Sequence, residues 1–123
     1  MRGELIVDIN RCCKDMDIID VRMVTAKFIF DKDFLGFKGH FDNNPILPGV
    51  CKILASIDLV KKWKKKENLE LKEIKSAKFF MPVTCNEELT FNCFDKEDSD
   101  ALSINVTIAK GEEKVSDLKL ILA

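Results

Sequence analysis

Several features of secreted, metal-bound or membrane proteins are missing from the sequence. Its 123 residues include no tyrosine, one histidine, one tryptophan and three prolines. The five cysteines (Cys12, Cys13, Cys51, Cys85 and Cys93) are odd in number and lack framework or metal-site spacing, which argues against a disulfide scaffold and fits a reducing cytoplasm. No stretch approaches the ~20 apolar residues of a membrane span, and the first ten residues do not resemble a signal peptide. We therefore expect a cytoplasmic protein that uses no metal or redox cofactor.

The sequence also has no large excess of positive or of negative charge. The chain carries 20 Lys and Arg against 21 Asp and Glu, a net charge of −1. Without a basic field, nucleic acid is excluded as a generic partner. The length is that of one domain, residues 1–123, and the hydrophobic content of 46% is enough for a buried core.

The most informative segment is the run GHFDNNPILPGV at residues 39–50, which holds the only histidine, His40. Pro45 and Pro48 stiffen the backbone, and Pro48 can begin a helix because its missing N–H is not needed there. Gly49 allows another molecule to approach the backbone closely. The first N–H groups of a helix lack internal partners and carry partial positive charge. A histidine beside such a helix start predicts an acid/base group facing an oxyanion site.

This run resembles the active-site motif of the β-hydroxyacyl-acyl-carrier-protein dehydratases, G-H-F-x-x-x-P-[IV]-[ML]-P-G-[VC], at every fixed position. A second, less specific similarity is KFFMPV at residues 78–83, which resembles a strand of that family ending in Pro-Val. The resemblance covers residues 21–122, and only the first motif is specific. It implies a dehydratase that acts on a 3-hydroxyacyl thioester carried on acyl carrier protein or coenzyme A.

The resemblance also implies roles for individual residues. His40 is the base that removes the proton next to the thioester carbonyl, and the N–H of Gly49 holds the thioester oxygen. Phe41, Pro48, Val50 and Leu54 are the candidate substrate-binding residues, and Leu54 is expected to line an apolar tunnel between helix and sheet.

The acid expected in the family is missing from this chain. The family places Glu or Asp fourteen residues after the histidine, and Leu54 stands there. Asp58, one helical turn further along, is either a displaced acid or a polar residue at a dimer seam. Asp42 is a weaker candidate, since turn aspartates mostly bond their own backbone. Ser56 and Cys51 lack a second histidine that would activate them as nucleophiles.

The periodicity predicts an α+β fold. A helix over 48–67 has Val50, Ile53, Leu54, Ile57, Val60 and Trp63 at helical spacing. Residues 4–9 are predicted as a short strand or a helix start. Alternating segments predict strands at 20–31, 73–81, 87–94, 101–109 and 115–122. One long central helix across a curved antiparallel sheet of about five to six strands is the hot-dog fold, which the resemblance also implies.

Three functions and one assembly remain open from the sequence. The leading hypothesis is dehydration; the second is a thioesterase of the same fold, with Asp58 or Asp42 as its carboxylate. The third is a non-catalytic acyl-binding protein or partner subunit, which the loss of the acid at Leu54 favours.

One helix on one sheet leaves a small core, so we expect a homodimer or a higher oligomer of dimers. The helix ends in five lysines, which suit the negative end of the helix dipole or form a docking patch for an acidic carrier protein: Lys61, Lys62, Lys64, Lys65 and Lys66.

Overall fold

A computed structural model describes residues 2–38, 45–97 and 100–123 of the chain. Two helices and six strands follow one another along it. They are α1 (Arg2–Cys12), β1 (Cys13–Ile18), β2 (Met23–Ile29), α2 (Gly49–Lys64), β3 (Leu71–Phe79), β4 (Glu88–Asp95), β5 (Leu102–Lys110) and β6 (Glu113–Leu122), with a 3-10 turn at Leu35–Phe37. The predicted α+β architecture, with a long helix and an antiparallel sheet, is confirmed.

The six strands form one antiparallel sheet in the order β1-β2-β4-β5-β6-β3. The alternation predicted for β5 holds, because Ile104, Val106 and Ile108 are buried. On β6 the buried side chains of Leu118, Leu120 and Leu122 repeat with the same period of two. These rows belong to the buried core, together with the buried residues of α2.

Helix α2 begins where the sequence predicted, with Pro48 as its N-cap residue at φ −64° and ψ 147°. It ends three residues earlier than predicted, because Lys65 adopts a left-handed conformation and the N–H groups of Lys65 and Lys66 bond back to Lys62 and Lys61. Two further contacts tie this end of α2 to the loop between β1 and β2. Trp63 Nε1 donates to the carbonyl of Asp20 at 3.1 Å, and Lys64 Nζ donates to that of Val21 at 2.8 Å.

The buried face of α2 agrees with the predicted one only in part, at Ile57, Val60 and Trp63. Its buried residues are Cys51, Lys52, Ala55, Ser56, Ile57, Leu59, Val60 and Trp63. Val50, predicted on the apolar face, is instead 60% exposed, while Ile53 and Leu54 are half-buried. The helix therefore has two apolar sides: one packs on its own sheet, and the other lies open.

The segment predicted as a strand or helix start is helical, within α1. Asp8 of α1 holds the 3-10 turn, because its Oδ2 accepts the Leu35 N–H at 2.7 Å while its Oδ1 pairs with Arg11 at 2.7 Å. These contacts from the Arg11 guanidinium and from the Leu35 amide hold the pKa of Asp8 below its usual value of 3.8.

The ends of the sheet depart most from the predicted strands. The strand predicted over 20–31 is β2, which is shorter, and β1 before it was not predicted. The strand predicted over 73–81 is β3, which ends at Phe79, before Pro82. Neither of the two helices in the described part of the chain is long and apolar enough to cross a membrane.

Candidate functional site

The amino end of α2 is closed on one side by an aromatic ring from the edge of the sheet. A Cβ added to Gly49 would stand 2.8 Å from Cζ of Phe79, so a side chain at this position requires the ring to move. Gly49 is the first residue of the helix, and its N–H lies among those without a partner inside the helix. Among residues 2–38, 45–97 and 100–123, the Gly49 N–H has no hydrogen-bond partner, and it lies beside a backbone without a side chain.

One turn along, Lys52 is buried on the sheet side of α2. The residue is 3% exposed, and its Nζ lies 5.1 Å from the centre of the Phe79 ring. Burial lowers the pKa of Lys52 from its ordinary value of 10.5, because desolvation disfavours the charged ammonium. The ion pairs found among residues 2–38, 45–97 and 100–123 do not include this lysine.

Two serine hydroxyl groups are also buried, one on α2 and one on β6. Ser56 Oγ donates to the carbonyl of Lys52 at 2.8 Å, a back-bond within the helix that leaves it no role as a nucleophile. Ser116 on β6 is fully buried, and its Oγ has no hydrogen-bond partner in the described part of the chain. Ser116 pairs with Phe79 across the ladder from β6 to β3, which places its side chain on the same face as that ring.

The open apolar side of α2 borders a cavity of about 740 Å³. Its lining is mostly aliphatic: Leu5, Leu35, Val50, Ile53, Leu54, Ile57, Leu71 and Ile74, with Glu4, Gly36 and Lys38 at its edges. Val50 and Leu54, two of the predicted substrate-binding residues, thus line one cavity, and it comes within one residue of Gly49. A cavity of this size and composition suits an apolar chain.

Asp58, the candidate acid, lies further along α2. Its Oδ2 is 3.3 Å from Nζ of Lys62, and its side chain is 15% exposed. It lines a separate, more polar cavity of about 520 Å³ together with Leu54, Ile57 and Lys61. Asp58 is nine residues from Gly49, or about 13 Å along a helix that rises ~1.5 Å per residue. The two groups of one chain are therefore too far apart to act on neighbouring atoms.

Three predicted site residues lie outside the described part of the chain: His40, Phe41 and Asp42. Of the remaining candidates, the Cys51 thiol is buried, and this burial raises its pKa. Such a thiol is protonated and a poor nucleophile. The structure brings Pro48, Gly49, Val50 and Leu54 to one end or one side of α2.

Sequence reasoning missed two residues at this end of α2, Lys52 and Ser116. Lys52 interrupts the apolar face of a helix, which is a signal that the sequence contains. Nothing in the sequence links it to Ser116, since 64 positions separate the two residues and their common neighbour, Phe79, is evident only in the fold.

Comparison with solved structures defines the class of protein as a hot-dog fold. The dehydratase heterocomplex ApeI:P from Xenorhabdus doucetiae aligns at 21% identity over 90% of this chain and 96% of that one, with a TM-score of 0.69. The HP0420 homologue of Helicobacter felis aligns at 14% identity over 92% and 88% of the two chains, with a TM-score of 0.70. An uncharacterized protein from Erwinia carotovora subsp. atroseptica has 24% identity over 90% and 91%, with a TM-score of 0.61. At these identities the likeness concerns the fold.

A family model narrows the class. The ApeI-like family, described as ApeI dehydratase, matches residues 17–118, and the chain therefore belongs to the ApeI-like dehydratase family. This confirms the dehydratase resemblance drawn from the motif at 39–50. No curated protein matches the chain in sequence.

Proposed function

We propose that the protein is a dehydratase that removes water from a 3-hydroxyacyl thioester carried on acyl carrier protein or coenzyme A. The observation that supports this most is the aliphatic cavity beside α2, which comes within one residue of the Gly49 N–H at the start of the helix. An acyl chain in that cavity brings its thioester carbonyl to the electropositive end of the helix. Membership of a dehydratase family supports the same reaction.

In the proposed reaction, His40 takes the proton from C2 of the acyl chain, and the C–H electron pair becomes that of an enolate. The Gly49 N–H binds the thioester oxygen as it gains negative charge. The electron pair then forms the C2–C3 double bond and expels the hydroxyl group from C3. That group leaves as water after it receives one proton. An imidazole with a pKa near ~6.5 is suited to the first step at neutral pH.

The second proton needs a donor, and Leu54 cannot supply it. Asp58 of the same chain is too far from Gly49 along α2. Asp58 of a second subunit remains a candidate acid, since its side chain borders a cavity shared with Leu54. Phe41 and Pro48 are proposed to bind the substrate beside the reacting carbonyl.

A second subunit is also suggested by an exposed apolar surface at the β3 edge. Val50, Ile74, Phe79 and Phe80 are 60%, 44%, 47% and 53% exposed. Side chains this apolar, next to an unpaired strand edge, mark an interaction surface. We propose a homodimer that covers the surface, and a stable monomer in light scattering would contradict it.

The second candidate is a dehydratase-like subunit that depends on an unlike partner. Leu54 at the position of the acid favours it, and one structural neighbour is a dehydratase heterocomplex. In that case the partner would supply the acid, and the purified chain would bind acyl thioesters without turning them over. Thioester hydrolysis, with Asp58 or Asp42 as the carboxylate, would instead release free thiol.

One assay separates these functions. Purified protein is incubated with 3-hydroxyacyl thioesters of several chain lengths, and both enoyl absorbance and free thiol are recorded. Dehydration predicts enoyl product without thiol, whereas thiol release that is lost in Asp58→Asn indicates the thioesterase. Binding with neither product indicates the partner subunit.

A further inference from the structure

Positive charge from two sources meets at the amino end of α2. The helix contributes the partial positive charge of its first N–H groups, while Lys52, a residue that is only 3% exposed, contributes an ammonium group. In the described part of the chain, no carboxylate forms an ion pair with Lys52. Buried charges are normally paired or lose their charge, so a bound anion would stabilise the charged form of Lys52.

The ammonium group of Lys52 lies toward Gly49. Helical side chains lean toward the amino end, so Lys52 reaches back over the first turn of α2. Its Nζ is 5.1 Å from the centre of the Phe79 ring, and that ring touches the Gly49 backbone. The same ring thus borders both the ammonium and the first residue of the helix.

Ser116 adds a third unfilled group. Its side chain shares a face of the sheet with Phe79, its ladder partner, and its buried Oγ has no hydrogen-bond partner among the described residues. A buried hydroxyl without a partner costs stability, as does a buried ammonium, and the ring of Phe79 accepts no conventional hydrogen bond from either group. A single negatively charged oxygen would accept from both and would face the helix dipole.

We propose that Lys52, Ser116 and the amino end of α2 form a binding site for one anionic oxygen of an acyl group. This inference rests on the proposed function, in which that oxygen is the thioester oxygen carrying enolate charge. The lysine then adds a full charge to the stabilisation that the Gly49 N–H gives as a dipole. Because it would contact the reacting oxygen, Lys52 is a further catalytic residue.

A carboxylate places an anionic oxygen where the thioester oxygen would lie, so the site can be tested without turnover. Decanoate and its neutral analogue decanamide have the same chain length and differ in charge at that end. We expect calorimetry to show at least tenfold tighter binding of decanoate to the wild-type protein. Lys52→Met, which keeps the length of the side chain, should abolish the preference and leave decanamide binding unchanged. Lys61→Met, at the far end of the same helix, is the matched control and should keep it.

Three results would overturn the inference. Equal binding of the two probes by wild type is the first, and an unchanged preference in Lys52→Met is the second. The third is a preference for decanoate that appears only in Asp42→Asn. The Asp42 carboxylate, rather than an acyl oxygen, would then be the anion that occupies the site in the wild-type protein. Failure of the proposed function is distinguishable: a decanoate preference without turnover of any 3-hydroxyacyl thioester retains the anion site and removes dehydration. Turnover without a preference for decanoate retains dehydration and removes the anion site.

Discussion

The ring of Phe79 lies against the backbone of Gly49, so that a Cβ on Gly49 would stand 2.8 Å from Cζ of Phe79. This contact joins the edge strand β3 to the first residue of α2. The ring occupies the space that a side chain at position 49 would need, so any substitution there must displace it. It also ties the geometry of the proposed oxyanion site to a side chain that belongs to the exposed apolar surface.

Two substitutions at Gly49 separate the role of its N–H from the role of its bare backbone. Gly49→Ala keeps the N–H and displaces the half-exposed Phe79 ring. Gly49→Pro removes the N–H as well, yet proline suits the first position of a helix, and the extended conformation of Pro48 is compatible with a proline after it. We expect kcat to fall about a hundredfold or more from the alanine to the proline variant, as for loss of one oxyanion donor. Equal kcat values in the two variants, with unchanged circular dichroism, would remove the Gly49 N–H from the reaction.

Replacement of Lys52 should stabilise the free protein. Lys52→Met removes a buried group that is costly to charge and keeps the volume, so we expect the free energy of unfolding to rise by about 1–3 kcal/mol at neutral pH. The pKa of Lys52 is lowered from 10.5 in the folded state, so the unfolded chain binds more protons between the two values. Wild-type stability should therefore rise relative to that of Lys52→Met as the pH increases toward 10.5. Denaturant titrations at several pH values measure this difference, and a constant difference would contradict it.

Much of the fold follows from patterns that the sequence displays, and the exceptions have physical causes. Strand β5 alternates cleanly because one of its faces is buried in the core. Strand β1 is an edge strand with charged residues at Lys14, Asp15 and Asp17, and none of its residues is fully buried, so it has no apolar period to detect. Strand β3 is the opposite edge, and two register shifts break its alternation.

The site was predictable in part for similar reasons. The spacing from His40 to Gly49 is local, so a motif can carry it, and the structure places Gly49 at the start of α2 as expected. Lys52 and Ser116 have Phe79 as a common neighbour only in the folded chain, and no local pattern encodes that arrangement. The apolar face predicted for α2 mixed two sides, because Val50 and Leu54 line an open cavity while Val60 and Trp63 are buried in the core.

Restoring a carboxyl group at position 54 tests whether the missing acid limits the reaction. Leu54 lines a cavity, so a polar side chain there can remain hydrated and should cost little stability. We expect Leu54→Glu to raise dehydration turnover by up to about a hundredfold, the lower range for a positioned general acid. Leu54→Gln has nearly the same shape and no acidic proton, and it should show no gain. If the two variants behave alike, the proton donor lies elsewhere.

Asp8 should make an acid-dependent contribution to stability. Its carboxylate accepts the Leu35 N–H and pairs with Arg11, and these contacts hold its pKa below 3.8. The contribution is complete above pH 3.8 and is lost as the pH falls through the lowered folded-state pKa. We expect Asp8→Asn to lose about 1–2 kcal/mol at neutral pH, a value at the lower end for a charged hydrogen bond because the pair is partly solvated. Thermal unfolding at pH 7 and below pH 3 checks this: the variant and the wild type should converge in acid, and a gap that persists there would contradict the assignment.

The most direct test of the account is the conversion of a 3-hydroxyacyl thioester to its enoyl product, compared in wild type and in His40→Gln. Glutamine retains the size and polarity of the imidazole but cannot accept a proton at neutral pH. The account predicts enoyl product from the wild-type protein and a fall of at least a hundredfold in kcat for the variant, with substrate binding retained. Turnover that is unchanged in His40→Gln, or no turnover by the wild type at any chain length, would contradict it.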